Sequence, residues 1–390
     1  MHPSLAHPSH RLHRTVAIAS VLALATVGCR GSDAAPAREV ASERVETAAS
    51  GRRERLFFSS DVAAGLQGGW RGGISDPDDG WAIAMAMADS TLDVRGVAVT
   101  LGNNLMEPER TVADSIAGMM ARRTGRPRVH VSRGAAVKLP NPDVRWTTTG
   151  AAFPAACRNE GVDSLAAELR RGPLTVIAIG PLTDVACLVL NHPAEAARIR
   201  RVVAIMGRTP GQSFAIGGRA GLTDFNLVMD DSAMSVVLHH SAVPLVFMTF
   251  GLTSSALVNG ASVDSLAAAG GPAGFLVPAT KPWIAWWSGY FHEPGFHPWD
   301  QNAVYYLQHP EAFSCARVPA EIVPCPADPD HDQAGRCASH GPGQPASLNK
   351  EAVQLWLGPG GMGRPVTACT AYAGPAAKQA FTRAAIDFLR

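Results

Sequence analysis

The chain has 390 residues, of which 46% are hydrophobic and 17% charged, and its net charge is +1. That is enough material for one large domain or two smaller ones. The balanced charge, with no basic stripe interleaved with aromatics, excludes a nucleic-acid partner, and no GxxxxGKS/T phosphate loop occurs.

The first segment reads as a targeting signal. "HRLHRT" is positive, and "VAIASVLALATVGC" is an apolar run ending in small residues and Cys29. Residues 1–29 are therefore expected to be a signal peptide. Gly28 before Cys29 resembles a bacterial lipoprotein signal, which would make Cys29 the lipid-carrying first residue and tether the protein to a membrane. The expected location is outside the cytoplasm, as a periplasmic or cell-envelope lipoprotein or as a secreted protein. Residues 30–54 are polar and Ala/Ser-rich, a flexible linker. The folded domain is expected over 55–390. Of the six remaining cysteines, Cys187 lies in the apolar run "DVACLVL" and reads as a buried thiol. Cys315, Cys325 and Cys337 fall in a Pro/Gly-rich stretch that suits a disulfide, although pairing cannot be read from sequence.

From residue 55 apolar runs alternate with helical patterns. "RLFFSSD" predicts a strand ending in a carboxylate, and "GWAIAMAMA" a helix. "DVRGVAVTLGNN" predicts a strand, "EPERTVADSIAGMMARRTG" a helix and "PRVHVSRG" a strand. "VDSLAAELRRG", "PLTVIAIGPLT", "DVACLVL", "IRRVVAIMG", "DDSAMSVVLHH" and "VPLVFMTFG" continue the alternation. Continuous Val/Ile-rich strands between helices predict the α/β class: an open, doubly wound, mostly parallel sheet with helices on both faces.

In such sheets ligands bind beyond the carboxyl ends of the strands. Polar residues gather on that rim: Asp61 after the first strand, Asn103 and Asn104 after "VAVTLG", Thr183 and Asp184 after "VIAIGPL", then Asp224 to Asn226, and Asp300. The stretch "DPDDGWAIAMAMAD", residues 76–89, puts three carboxylates ahead of one helix. One acid there is an ordinary cap. Three in four positions repel one another unless a cation lies among them, and oxygen-only ligands suit Ca²⁺ or Mg²⁺. The segment 281–299 holds four of the eight tryptophans. Helical spacing favours a core role, while Trp286, Trp287, Tyr290 and Trp299 are the candidates for stacking on a base, with Trp70 and Trp81 beside them.

These residues, in this order, resemble the inosine–uridine nucleoside hydrolase family. "SSD" at 59–61 and "DD" at 78–79 stand for the family's opening acidic motif. Gly102–Asn103, Gly180 to Thr183, "MGR" at 206–208, "DFN" at 224–226 and "WDQNA" at 299–303 follow in the family's order. The resemblance implies a nucleoside hydrolase-like fold, a bound Ca²⁺, a small-molecule nucleoside substrate and hydrolysis of its N-glycosidic bond to free base and ribose. It implies that Asp61, Asp79, the Thr183 carbonyl and Asp300 hold the metal and that Asp61 is the general base. It implies that Asp78, Asn103, Asp224 and Asn226 bond the ribose hydroxyls, and that the chain forms a homo-oligomer.

Four departures stand out. Ser59 replaces the first Asp of the opening motif, and the Gly-rich 62–77 is inserted between Asp61 and Asp78. A Gly-Asn is missing ahead of "DFN", where Asp224 is also shorter than the usual Glu. Trp299 occupies the place of a histidine, so His297 or His292 is the remaining candidate to protonate the leaving base, and Trp299 to contact it. Two other readings stay open: a hydrolase of another ribosylated or glycosylated compound, and a non-catalytic nucleoside-binding lipoprotein.

Overall fold

This computed structural model describes residues 53–69, 72–139, 157–209, 214–216, 219–220, 222–324, 353–359, 361 and 363–390. The expected signal segment with Cys29, most of the linker, Trp70, Cys325 and Cys337 lie outside the described residues. No helix among the described residues is long and apolar enough to cross a membrane.

The apolar runs assemble into one nine-stranded sheet. In chain order its strands are β1 (Glu54–Ser60), β2 (Leu92–Val99), β3 (Val131–Arg133), β4 (Leu174–Ala178), β5 (Ile199–Ile205), β6 (Leu245–Met248), β7 (Phe313–Pro324), β8 (Val353–Leu357) and β9 (Pro365–Tyr372). Across the sheet the order is β8-β7-β9-β6-β5-β4-β1-β2-β3. Every pair from β9 to β3 is parallel, and β7 runs antiparallel to both neighbours. The sheet is thus mostly parallel, as the βα alternation predicts. Its antiparallel edge comes from the Pro- and Cys-rich region after 313, which carries no alternation with helices.

Eight principal helices cover the sheet: α1 (Asp78–Ala88), α2 (Met106–Thr124), α3 (Glu160–Arg171), α4 (Thr183–Asn191), α5 (Asp231–His240), α6 (Gly271–Phe291), α7 (Gln301–Gln308) and α8 (Pro375–Asp387). Successive strand side chains point to opposite faces. Leu56, Phe58, Val97, Val99, Ile177 and Val203 join the core under α1, α2, α6, α7 and α8. Phe57, Ala98, Val176, Ala178 and Val202 join the core under α3, α4 and α5. Both faces are dry, which is why the strands read as continuous apolar runs.

Two disulfides brace the sheet. Cys315 on β7 bonds its cross-strand neighbour Cys369 on β9. Cys187, expected as a free buried thiol, is instead bonded to Cys157, because the start of α3 brings Cys157 to a Cα separation of 4.9 Å from it. Strand order reverses between β1, which leads on to β2 and β3, and β4, which leads on to β5 and β6. A reversal of this kind leaves a crevice beyond the carboxyl ends of the two strands.

Candidate active site

The crevice is a cavity. Its polar lining includes Asp61, Asp76, Asp78, Asp79, Asn103, Asp224, Asn226 and Asp300. Its apolar lining includes Ile179, Met206, Phe214, Leu222, Phe250, Trp283, Trp287 and Trp299. One compartment therefore offers both carboxylate oxygens and aromatic surface.

Asp61 follows β1 directly. Its Oδ2 accepts the Asn103 N–H at 3.0 Å. A methyl group on Gly102 would lie 1.8 Å from that oxygen, and one on Gly180 would lie 2.9 Å from Oδ1. Glycine at both positions lets two loops close around one carboxylate. Asp61 Oδ1 is buried and has no hydrogen-bond partner.

Asp78 and Asp79 open α1, yet Pro77 is the N-cap and no side chain caps the helix. Capping thus fails to account for the acids at 76–79. Instead the Ser60 hydroxyl donates to Asp79 Oδ1 at 2.5 Å, and the Asp300 N–H donates to Asp78 Oδ2 at 3.1 Å. The Asn103 amide donates to Asp76 Oδ1 at 2.8 Å and reaches Asp79 Oδ2 at 3.5 Å. One oxygen from each of Asp76, Asp78 and Asp79 falls within 4.8 Å of the others.

This crowding has an electrostatic signature. Burial, with Asp79 repulsion second, pushes the Asp78 carboxyl from 3.8 to about 8. Burial and Asp76 push Asp79 to about 7. Asp61, Asp76 and Asp300 are raised well above 3.8, again by burial first and neighbouring carboxylates second. Behind the cluster, the fully buried Glu109 accepts the Asn104 N–H through Oε1, and burial pushes its carboxyl to about 10. Among the described residues no Lys, Arg or His lines the cavity to offset these charges. A buried, uncompensated carboxylate costs several kcal/mol. Oxygen-only donors, a surplus of negative charge and an orphaned buried oxygen together fit a hard divalent cation.

Ser59, the first departure from the family pattern, faces a buried carboxylate of α4. The Ser59 hydroxyl donates to Asp184 Oδ2 at 3.3 Å, and Asp184 Oδ1 accepts the Ala135 N–H at 2.8 Å.

The structure brings most of the predicted residues together. Asp61, Asp78, Asp79, Asn103, Asp224, Asn226, Trp299 and Asp300 all line the cavity. Asp224 Oδ2 accepts the Gly207 N–H at 2.7 Å, and burial pushes its carboxyl to about 7. The Asn226 amide donates to the Ile179 and Ile205 carbonyls, both at 3.1 Å, tying the ends of β4 and β5. Trp299 Nε1 donates to Ser254 Oγ at 3.0 Å.

The side chains of Thr183 and His297 are placed elsewhere. Thr183 is buried in the first turn of α4, where its hydroxyl donates to Asp230 at 2.7 Å, and the residue that lines the cavity from this loop is Ile179. His297 is 3% exposed, and its ring nitrogens are engaged by the Ala256 carbonyl and Glu293, each at 2.7 Å. It stacks on Trp299, which lines the cavity, while His297 itself does not. Trp81 is fully buried and donates to Thr280, rather than closing over the cavity. Of the aromatic candidates on α6 only Trp287 lines the cavity; Trp286 and Tyr290 stack on one another outside it. The lining also holds Asp76, one of the three acids read as crowding a cation, and Ile179 and Trp283, to which the sequence reading gave no role. Trp283 and Trp287 are four apart on α6, a spacing that puts them on one helical face and was legible beforehand. Phe214 and Phe250 carry no such signal.

Known proteins share this fold. The profile of the inosine-uridine preferring nucleoside hydrolases matches residues 74–353. The pyrimidine-specific ribonucleoside hydrolase RihA of Salmonella paratyphi A is 29% identical over 213 residues, covering 51% of this chain and 65% of that protein. The corresponding protein of Salmonella agona gives the same identity and coverage. This chain thus spans 65% of the length of the curated relatives it matches. Among solved structures, a plant nucleoside hydrolase superposes with a TM-score of 0.60 at 13% identity, over 85% of this chain and 98% of that one. A purine-preferring ribonucleoside hydrolase from Gardnerella vaginalis superposes with a TM-score of 0.58 at 16% identity, over 86% of this chain and 99% of that one. These likenesses share the fold, and the profile covers most of the domain: the chain belongs to the inosine-uridine preferring nucleoside hydrolase family.

Proposed function

We propose that this protein hydrolyses the N-glycosidic bond of ribonucleosides to free base and ribose, with Ca²⁺ as its cation. The observation that carries the reading is the cavity itself. It joins five buried carboxylates, one with an orphaned oxygen, to an aromatic wall large enough to face a nucleobase.

Asp61, Asp79 and Asp300, with the Thr183 main-chain carbonyl at the start of α4, would hold the cation. A bound Ca²⁺ supplies polarisation of a water and orientation of the ribose diol. Asp61 would accept the proton of the attacking water at Oδ1, the oxygen without a hydrogen-bond partner among the described residues. Departure of the base leaves positive charge at C1′, which the fixed carboxylates stabilise without reorganising. Asp78, Asn103, Asp224 and Asn226 bond the ribose hydroxyls, because a buried hydroxyl without a partner costs about 1–3 kcal/mol. Trp283, Trp287 and Trp299 pack against the base and exclude water from the developing charge. Export through the segment 1–29, with a lipid at Cys29, is part of the proposal, and the two disulfides support an oxidising compartment.

The test is release of base and ribose from a panel of ribonucleosides, in Ca²⁺ and in chelator, for wild type and Asp79→Ala. Calcium-dependent release that disappears in the variant is expected. If no nucleoside is cleaved but one still raises thermal stability in Ca²⁺, the protein is a binder and the hydrolase reading falls.

A further inference from the structure

The segment 62–77 exceeds the family pattern, and nothing in the reaction above uses it. Its described part is a small hairpin. The Gly68 and Gly69 N–H groups both donate to the Gly73 carbonyl, Ser75 N–H donates to the Leu66 carbonyl, and Gln67 bridges Ile74. The hairpin rests on α6 along one edge. A methyl group on Gly65 would lie 2.9 Å from Ala279 Cβ, and one on Gly73 would lie 2.6 Å from the Trp286 indole. On its other edge the Asn104 amide donates to the Gln67 carbonyl at 2.8 Å and to Ser75 Oγ at 3.2 Å. Such close seating needs glycine where the backbone touches the helix.

The hairpin delivers Asp76 to the cavity. Asp76 stands in the lining, and its oxygen meets those of Asp78 and Asp79 within 4.8 Å. Independently of that cluster's own contacts, Asp61 Oδ1 is buried beside it without a partner. A spare surface acid would be solvated, but this one is enclosed among four other carboxylates with no basic side chain in the lining. We infer that Asp76 is a further cation ligand, carried by the hairpin, and that the same cation fixes the hairpin against α6. The inference rests on the cation site proposed above and deepens it. In oxygen-ligated sites affinity rises with ligand charge. A ligand on a separate hairpin also links cation affinity to the order of that hairpin.

The experiment uses the full chain. Calcium binding is measured by calorimetry for wild type, Asp76→Asn and, as a control, Asp93→Asn at the amino end of β2. Asparagine keeps an oxygen for the Asn103 amide while removing the charge. The expected result is a Kd weakened at least about tenfold in Asp76→Asn and unchanged in Asp93→Asn. In wild type, Ca²⁺ is also expected to slow hydrogen exchange at the Gly68, Gly69 and Ser75 amides, a readout that needs no variant. Equal calcium affinity in wild type and Asp76→Asn overturns the inference and leaves the cation site standing, as does unaltered exchange in wild type. If wild type binds no calcium, the cation site itself fails and takes the inference with it. Should Asp76→Asn lose its fold, Asp76→Ser is titrated in its place.

Discussion

The bond between Cys315 and Cys369 closes a loop with a sequence separation of 54 residues, and it joins the antiparallel edge strand β7 to β9, the last strand of the parallel body. Thr249, at the end of β6, donates both its N–H and its hydroxyl to the Cys369 carbonyl, at 3.1 and 3.0 Å. The strap therefore holds the edge to a fixed base. In the chain-entropy account, closing a loop of n residues removes about 2.1 + 1.5R ln n cal/mol/K from the unfolded chain, which at 54 residues and 298 K is about 4 kcal/mol. The same arithmetic for Cys157–Cys187, with a separation of 30, gives about 3.6 kcal/mol. The two loops do not overlap in sequence, so their contributions should add. The perturbation is the double variant Cys315→Ala with Cys369→Ala, assayed by urea unfolding in saturating Ca²⁺ against wild type. We expect a loss of about 4 kcal/mol, read as a lower midpoint with an m-value that rises as the uncrosslinked chain becomes less compact, and about 8 kcal/mol when the second pair is also removed. A loss below about 1 kcal/mol, or a non-reducing peptide map that does not join 315 to 369, would refute the reasoning.

Acidity gives a second prediction. Asp78 and Asp79, at about 8 and 7, bind protons in the folded chain that the unfolded chain has released near 3.8. Their contribution is complete below that ordinary value and is lost as pH rises through the folded values. In chelator the melting temperature should therefore fall between pH 5 and 8, and saturating Ca²⁺ should flatten the fall by replacing the protons. A melting temperature in chelator that holds level or climbs over that window contradicts the assignment. Third, Gly102→Ala should displace Asp61, since its methyl group would sit 1.8 Å from Oδ2. A shift of about 1 Å at a reacting group costs about 100-fold, so kcat/KM should fall by that order while circular dichroism stays native. Wild-type kinetics in this variant would show that Asp61 is not the group that matters.

The sheet was readable because both of its faces are buried, which turns each parallel strand into an uninterrupted apolar run such as "TVIAI". Its edge was not. β7 runs through Pro319 to Pro324 and pairs with a strand that begins 29 residues after it ends, so no local pattern announces it. The carboxylates were legible because each directly follows a strand or opens a helix, positions fixed by the fold. His297 marks the limit of position-by-position transfer. Both of its ring nitrogens are engaged within the protein, by the Ala256 carbonyl and Glu293. Cys187 shows the same blindness, since its partner lies 30 residues upstream in a different element.

The hydrogen bond between Ser59 and Asp184 makes two distant positions into one unit. Placing aspartate at 59 alone would set a second buried carboxylate against Asp184 and forfeit the hydroxyl that now donates to it. The change is viable only together with a neutral residue at 184. Two sequences differing at both positions can thus each be sound while both single-step intermediates are impaired. Transplanting consensus residues into this chain one at a time would meet a barrier here that neither endpoint reveals.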